Sequence, residues 1–383
     1  MGKEKKYNKV YILGGMRFLT KNAACHRALG LAKLFSEYVR EAVLFGFSDE
    51  GHEEGMIDGF KYYTLQYPQS KKEWITYCFS INYYSCILGQ LASGDILVVN
   101  STIPSFITRK LISICAKKNV CLVLDVDEWY SYRFENFSRL IIKNLSTWYQ
   151  MNIICKKRLN FIVSGSFLDK HCKNSNSTFV YPAIVTDKIA LEKKQETNSF
   201  SSNIVNLFFG GLFGKKEKKE SLDALIEAVS LINSSQTNIA FKLNIVGTNG
   251  EDTDCISYFG KLPYTDCIKH LVESTFTVIP RNKTRTNEAG FPTKLSESFL
   301  YGIPCISTNT SDIKKYIIDG VNGFVIENNR KEEYLSVFNR IIEGLLEKGD
   351  IYIKCFKDNV LKNNKLVVDS FKEYFDVFMR DLK

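Results

Sequence analysis

Residues 281–308 read RNKTRTNEAGFPTKLSESFLYGIPCIST, and the rest of the chain is organised around them. Gly290 and Pro292 halt the preceding chain, and Thr293 is a good N-cap for the helix that follows. Lys294 and Glu297 are three residues apart and share one face of that helix, while Leu295 and Phe299 share the opposite, apolar face. Gly302-Ile303-Pro304 then leads into a short strand. A helix N-terminus turns free backbone N–H groups toward an anion, phosphate above all. One face therefore offers a cation for phosphate and a carboxylate that can accept hydrogen bonds from a ribose, which is the equipment for a nucleoside diphosphate. The plainer alternative is an amphipathic helix with Lys294 and Glu297 as an ordinary surface pair.

The chain has 383 residues, which suits two domains of about 180–200 residues each. With 45% hydrophobic and 24% charged residues it has the composition of a globular protein with sizeable cores. Eleven cysteines are scattered without a C-x-x-C pair, which argues for reduced, mostly buried thiols rather than a disulfide framework or structural zinc. The four histidines, His26, His52, His171 and His270, show no metal-ligand spacing, and no metal site is predicted. The basic start MGKEKKYNK lacks the apolar stretch of a signal peptide, so a cytoplasmic location, at the inner face of a membrane, is expected. Residues 1–180 hold 24 Lys and Arg against 15 Asp and Glu, leaving 27 of each for the remainder, so the whole net charge of +9 lies in the first half. That half is suited to an anionic membrane or a phosphate-bearing acceptor; no nucleic-acid motif accompanies the charge.

Taken in order, residues 10–13 form an apolar first strand that ends in Gly14-Gly15, with a helix predicted over 22–39 and no G-x-G-x-x-G fingerprint between them. Further strands are predicted at 42–45, 60–65 and 95–99, the first two separated by an acidic loop. Residues 74–94 carry no charge, but their polar side chains argue against a membrane span and for a mostly buried helix. The minority reading gives its aromatics, Trp74, Tyr77, Tyr83 and Tyr84, a membrane contact. After a helix at 103–117, the strand 120–124 delivers Asp125-Val126-Asp127-Glu128-Trp129 at its carboxyl end, where open α/β sheets keep their functional groups. A solvated acidic loop is the alternative there. Residues 184–203 are polar and mark a linker. A new apolar strand at 204–209 ends in Gly210-Gly211 and is followed by Lys215-Lys216-Glu217-Lys218-Lys219 and a helix, a pattern fit to cradle a pyrophosphate or to form a solvated basic turn.

The run GFPTKLSE with PCI beyond it resembles the donor-binding segment of family 4 glycosyltransferases, retaining enzymes of the GT-B type, particularly those that build bacterial capsule and exopolysaccharide. The resemblance implies an α/β GT-B architecture of two Rossmann-like domains facing a cleft. Residues 1–183 would be the acceptor domain, 204–365 the donor domain, and 366–383 a last helix crossing back onto the first domain. Strands alternating with helices through both halves support parallel sheets independently.

The resemblance also implies the reaction: transfer of a hexose from a UDP- or GDP-sugar to a hydroxyl of a glycan or lipid-linked acceptor, with no cofactor and no metal. Charge grows on the leaving diphosphate, and fixed cations and helix N–H groups would stabilise it. Lys219 or Lys216, Lys294, Arg281 and the amides around Thr293 are the candidates, with Gly211 before them and Pro292 and Leu295 flanking. Glu297 would fix the ribose, and Leu262, in a Gly-x-x-Pro-like loop, the base. Gly15 would let substrate approach the backbone. The acceptor proton would go to Asp127, to Glu128 or to the leaving phosphate. Two departures stand out: Leu212 occupies the position of a family arginine, and Ala289 that of a family glutamate. Glu288, one residue early in a loop, could reach the donor sugar if Gly290 adopts φ > 0; otherwise the amides of Gly290 and Phe291 hold it. A non-catalytic nucleotide- or glycan-binding subunit and a UDP-sugar epimerase-like enzyme are the alternatives.

Overall fold

A computed structural model describes residues 5–132, 137–189, 203–211, 220–235 and 238–382. The chain divides into two compact units: residues 1–186 with 289–291 and 367–383, and residues 187–288 with 292–366. Each is an α/β unit built on one sheet, as the alternation of strands and helices requires.

The first sheet contains β1 (Tyr7–Leu13), β2 (Val39–Ser48), β3 (Glu54–Ile57), β4 (Phe60–Gln66), β5 (Ile96–Asn100), β6 (Cys121–Val126), β7 (Asn160–Val163) and β8 (Ser177–Val180). Its order is β3-β4-β2-β1-β5-β6-β7-β8, parallel except for β3 against β4. The centre reads as unbroken apolar runs because both faces are covered, and all five residues of β5 are buried. The segment read as an acidic loop instead forms β3. Asp58 and Gly59 turn the hairpin with φ of 49° and 81°, which is why it closes in two residues.

Residues 74–94 do not form one helix. A helix spans Lys71–Phe79, held by a capping box between Ser70 and Glu73, and the chain then breaks at Ser80 into shorter turns. Trp74, Tyr77 and Tyr84 are core side chains, so these rings are not the membrane contact considered above. At the end of the chain the helix Lys372–Asp381 packs on β8 and on the helix Ala23–Phe35. Phe375 meets Phe35 at 4.8 Å and Phe179 at 5.1 Å between ring centroids. Burying each such ring stabilises by roughly 1.5–3 kcal/mol.

The second sheet contains β9 (Ile204–Gly210), β10 (Ala240–Val246), β11 (Ile256–Tyr258), β12 (Phe276–Ile279), β13 (Cys305–Thr308) and β14 (Gly323–Ile326), in the order β11-β10-β9-β12-β13-β14, all parallel. The order reverses between β9 and β12. Crevices at the carboxyl ends of such a pair are where open α/β sheets bind ligands. No helix of the described residues is long and apolar enough to cross a membrane.

Candidate functional site

The decisive helix spans Thr293–Leu300. Its Leu295 and Phe299 are buried at 0% and 1% exposure, which leaves Lys294 and Glu297 on the opposite face, as the spacing requires. The N-cap position is Pro292, not Thr293, and no side chain caps it. Proline has no N–H, and Thr293 lies within the first turn, so the first amides of the helix lack a side-chain cap. Such an end favours an anion.

Lys294 lies at the carboxyl end of β9. Its Nζ sits 4.4 Å from the centre of the Phe209 ring, and a Cβ on Gly211 would come within 2.8 Å of it. The lysine therefore passes close over the Gly211 backbone, beside the edge of the Phe209 ring. The Gly211 N–H donates to the Val246 carbonyl at 2.9 Å. Gly247, with φ of 100°, packs so close to the Gly211 carbonyl that no side chain fits, an obligatory glycine the sequence did not reveal.

The same end of the sheet holds Arg281, 8% exposed, after β12. Its backbone N–H donates to Thr308 Oγ1 at 3.0 Å, and Glu220 pairs with it across an isolated bridge. Asn329 locks this corner: its Nδ2 donates to the Ser221 carbonyl at 2.9 Å, and its Oδ1 accepts from the Tyr334 hydroxyl at 2.8 Å. Glu220 then reaches both cations. It forms an ion pair with Lys294, and its Oε1 lies 3.9 Å from Arg281 Nε. This carboxylate is 74 residues from its lysine, and no local pattern marks it. Lys216 and Lys219, the cations favoured from the sequence, lie outside the described residues.

Glu297 accepts a hydrogen bond from the Tyr264 hydroxyl at 2.5 Å. Burial raises its pKa, opposed by that hydrogen bond and by Lys294. Leu262 packs on the cluster of Phe208, Val246 and Ile268.

Glu288 requires a correction. It lies in a helical turn, Arg285–Ala289, not in a loop free of register, and its Oε2 accepts from the Ser311 N–H at 3.2 Å. Gly290 is not among the glycines with positive φ. The adjustment that would swing Glu288 toward a sugar is absent. Residues 289–291 belong to the first unit, where Ala289 is fully buried and its carbonyl accepts from Ser164 Oγ at 2.6 Å. Phe291 is also buried, at 6% exposure.

In the first unit, Asp125 is not part of an exposed acidic segment. It is 3% exposed and accepts from Arg27, with Nη2 at 2.6 Å and Nε at 3.0 Å, and from Asn100 Nδ2 at 2.8 Å. Arg27 Nη1 also donates to the Tyr181 carbonyl at 2.6 Å. The first carboxylate of the acidic run is thus committed to a buried guanidinium. Asp127 is different: half-buried, it accepts from Ser101 Oγ at 2.7 Å. Burial, and then the nearby Asp125, push its pKa up to about 6. Glu128 lies beside it with similar exposure. The Gly15 N–H is bonded to Thr102 Oγ1 at 2.9 Å, and a Cβ there would come within 3.1 Å of the same oxygen. A side chain at Gly15 would need Thr102 to give by a few tenths of an ångström.

Residues 204–343 match the family model described as "Glycosyl transferases group 1". A curated relative, an uncharacterised 41.2 kDa protein in the cps region of Klebsiella pneumoniae, is 22% identical over 188 residues, 45% of this chain. The aligned part spans about half, 49%, of that relative. Among solved structures, a sucrose-phosphate synthase from Thermosynechococcus elongatus aligns with a TM-score of 0.68 at 11% identity, covering 98% of each chain. HepE of Anabaena, solved in complex with UDP and glucose, aligns with a TM-score of 0.62 at 11% identity, covering 98% of this chain and all of that one. The fold is that of the GT-B glycosyltransferases: two Rossmann-like α/β domains with parallel sheets.

Proposed function

We propose that the protein is a retaining glycosyltransferase of family 4 type that moves a hexose from a UDP- or GDP-sugar to a hydroxyl of a glycan or lipid-linked acceptor in surface-polysaccharide assembly. The observation that carries this reading is the convergence of Lys294, Arg281 and the uncapped N-terminus of the helix Thr293–Leu300 at the carboxyl ends of β9 and β12. Glu297 lies, half-buried, on the polar face of that helix. The match to a glycosyltransferase domain, the UDP and glucose bound by HepE, and the cps-region relative support the same reading.

In this mechanism the two cations and the helix amides receive the charge that develops on the leaving diphosphate, and no metal is required. Glu297 accepts hydrogen bonds from the ribose hydroxyls, and Leu262 lines the base. Asp127 takes the acceptor proton: a carboxylate with a pKa near 6 is ionised at neutral pH and still basic enough to serve. Phe291 and Gly290 hold the sugar through their backbone, since Glu288 is committed to Ser311. A lipid-linked acceptor brings the enzyme to an anionic membrane.

One observation favours a second reading, a nucleotide-binding subunit without turnover. Glu220 already neutralises the described cations, and Ala289 supplies no carboxylate. Acceptor-dependent release of nucleotide from a panel of UDP- and GDP-hexoses separates the two. Release supports transfer, whereas binding without release supports the second reading.

A further inference from the structure

Three helices, Lys71–Phe79, Ser105–Lys118 and Phe137–Asn152, cover one face of the first sheet and share its core through Trp74, Ile107 and Met151. Their outer side is not the polar surface such a layer ordinarily shows. On the third helix Ile141, Leu145 and Trp148 recur at i, i+4 and i+7 and are 49%, 49% and 54% exposed. Ile75 and Phe79 add exposed apolar surface on the first helix. The helices are contiguous there. Phe79 stacks on Phe106 at 4.9 Å, Phe106 on Tyr149 at 6.2 Å, and Arg139 lies 5.8 Å from the Trp74 ring. Ser105 and Ser146 join the second and third helices by hydrogen bonds.

Charge selects the partner. The three helices carry eight Lys and Arg and a single acid, Glu73, which is consumed by the capping box at the start of its own helix. Lys156, Lys157 and Arg158 follow the third helix and are exposed. An apolar stripe containing a tryptophan, flanked by cations with no free acid, has the makeup of a helix that lies in the headgroup region of a bilayer. A partner helix of the same chain would meet like charge.

We propose that the outer face of these helices, centred on Ile141, Leu145 and Trp148, docks on an anionic membrane, the stripe entering the headgroup boundary and the cations pairing with lipid phosphates. This deepens the membrane part of the function proposed above and is independent of the transfer chemistry.

The test uses the full chain with vesicles of phosphatidylcholine alone and of phosphatidylcholine containing phosphatidylglycerol. The wild type is expected to sediment with the anionic vesicles only, with a blue shift of tryptophan emission. Partitioning should fall about tenfold in Ile141→Ser/Leu145→Ser/Trp148→Ser and less in Lys157→Glu/Arg158→Glu, the latter deficit growing at low salt. These positions are exposed, so the melting temperature serves as a control for folding. Partitioning unchanged in the triple variant overturns the proposal, as does failure of the wild type to bind either vesicle. A wild-type dimer that the triple variant dissociates, without vesicle binding, would assign the stripe to a second copy instead. None of these outcomes alters nucleotide release, so failure here and failure of the transferase reading are distinguishable.

Discussion

The carboxylate of Glu220 rests on Lys294 and beside Arg281, so an incoming diphosphate competes with an anion already in place. Replacing it with an amide of the same shape removes the competing charge and keeps the packing. Glu220→Gln should tighten binding of UDP or GDP by about tenfold or more in calorimetry, whereas unchanged or weaker binding would show that Glu220 assists the ligand. Glu297 shares a helix face with the same lysine. Glu297→Ala should weaken nucleotide binding roughly ten- to a hundredfold with little change in melting temperature, because hydrogen bonds to a charged group are lost and no core side chain is touched. Equal affinity in the variant would remove Glu297 from the site. For Asp127 the direction of pH dependence follows from its raised pKa: the basic form prevails above about 6 and is lost as the pH falls through that value. The turnover rate should therefore decline on the acid side with an inflection near 6, and Asp127→Asn should abolish that inflection along with most activity. A profile unchanged by the substitution would pass the proton to Glu128 or the diphosphate. Lys294 and Glu297 were legible because helical spacing fixes their common face. Glu220 was not, because its partners are remote in sequence and a lysine run draws attention just before it.

The helix Ala23–Phe35 ties distant parts of the first unit together, its Arg27 reaching β6 through Asp125 and the chain beyond β8 through Tyr181. Removing one partner of such a buried pair leaves the other charge without compensation. Asp125→Ala should cost about 3–5 kcal/mol in chemical denaturation, while Asp127→Asn, two residues on, should cost far less. Similar losses would mean that the two carboxylates share one structural role. The strands were legible because apolar runs with covered faces leave little else for them to be. Asp125 was misread because three acids in four residues look solvated, and nothing in the local sequence announces an arginine 98 residues away. The hairpin of β3 and β4 was legible in principle from Asp58-Gly59, the residue pair that a two-residue turn selects. The break at Ser80 was hidden because residues 74–94 carry no charge to mark its faces, so helix ends inside the run depend on tertiary packing.

On the scale of the molecule, two parallel sheets place their functional groups at carboxyl strand ends, and the whole surplus of positive charge belongs to the first half of the chain. The alternation of strands and helices gave that architecture to the sequence reader. The chemistry depends instead on which side chains meet at the end of β9 and β12, and there the cations are shared with Glu220. The measurement that bears most directly on the function is acceptor-dependent release of nucleotide from UDP- and GDP-hexoses, followed by the anomeric configuration of the product. The expected result is release from one donor, an axial or equatorial linkage matching that donor, and loss of both in Lys294→Ala. Saturable nucleotide binding with no release for any pair of donor and acceptor would contradict the transferase reading and leave a binding protein in its place.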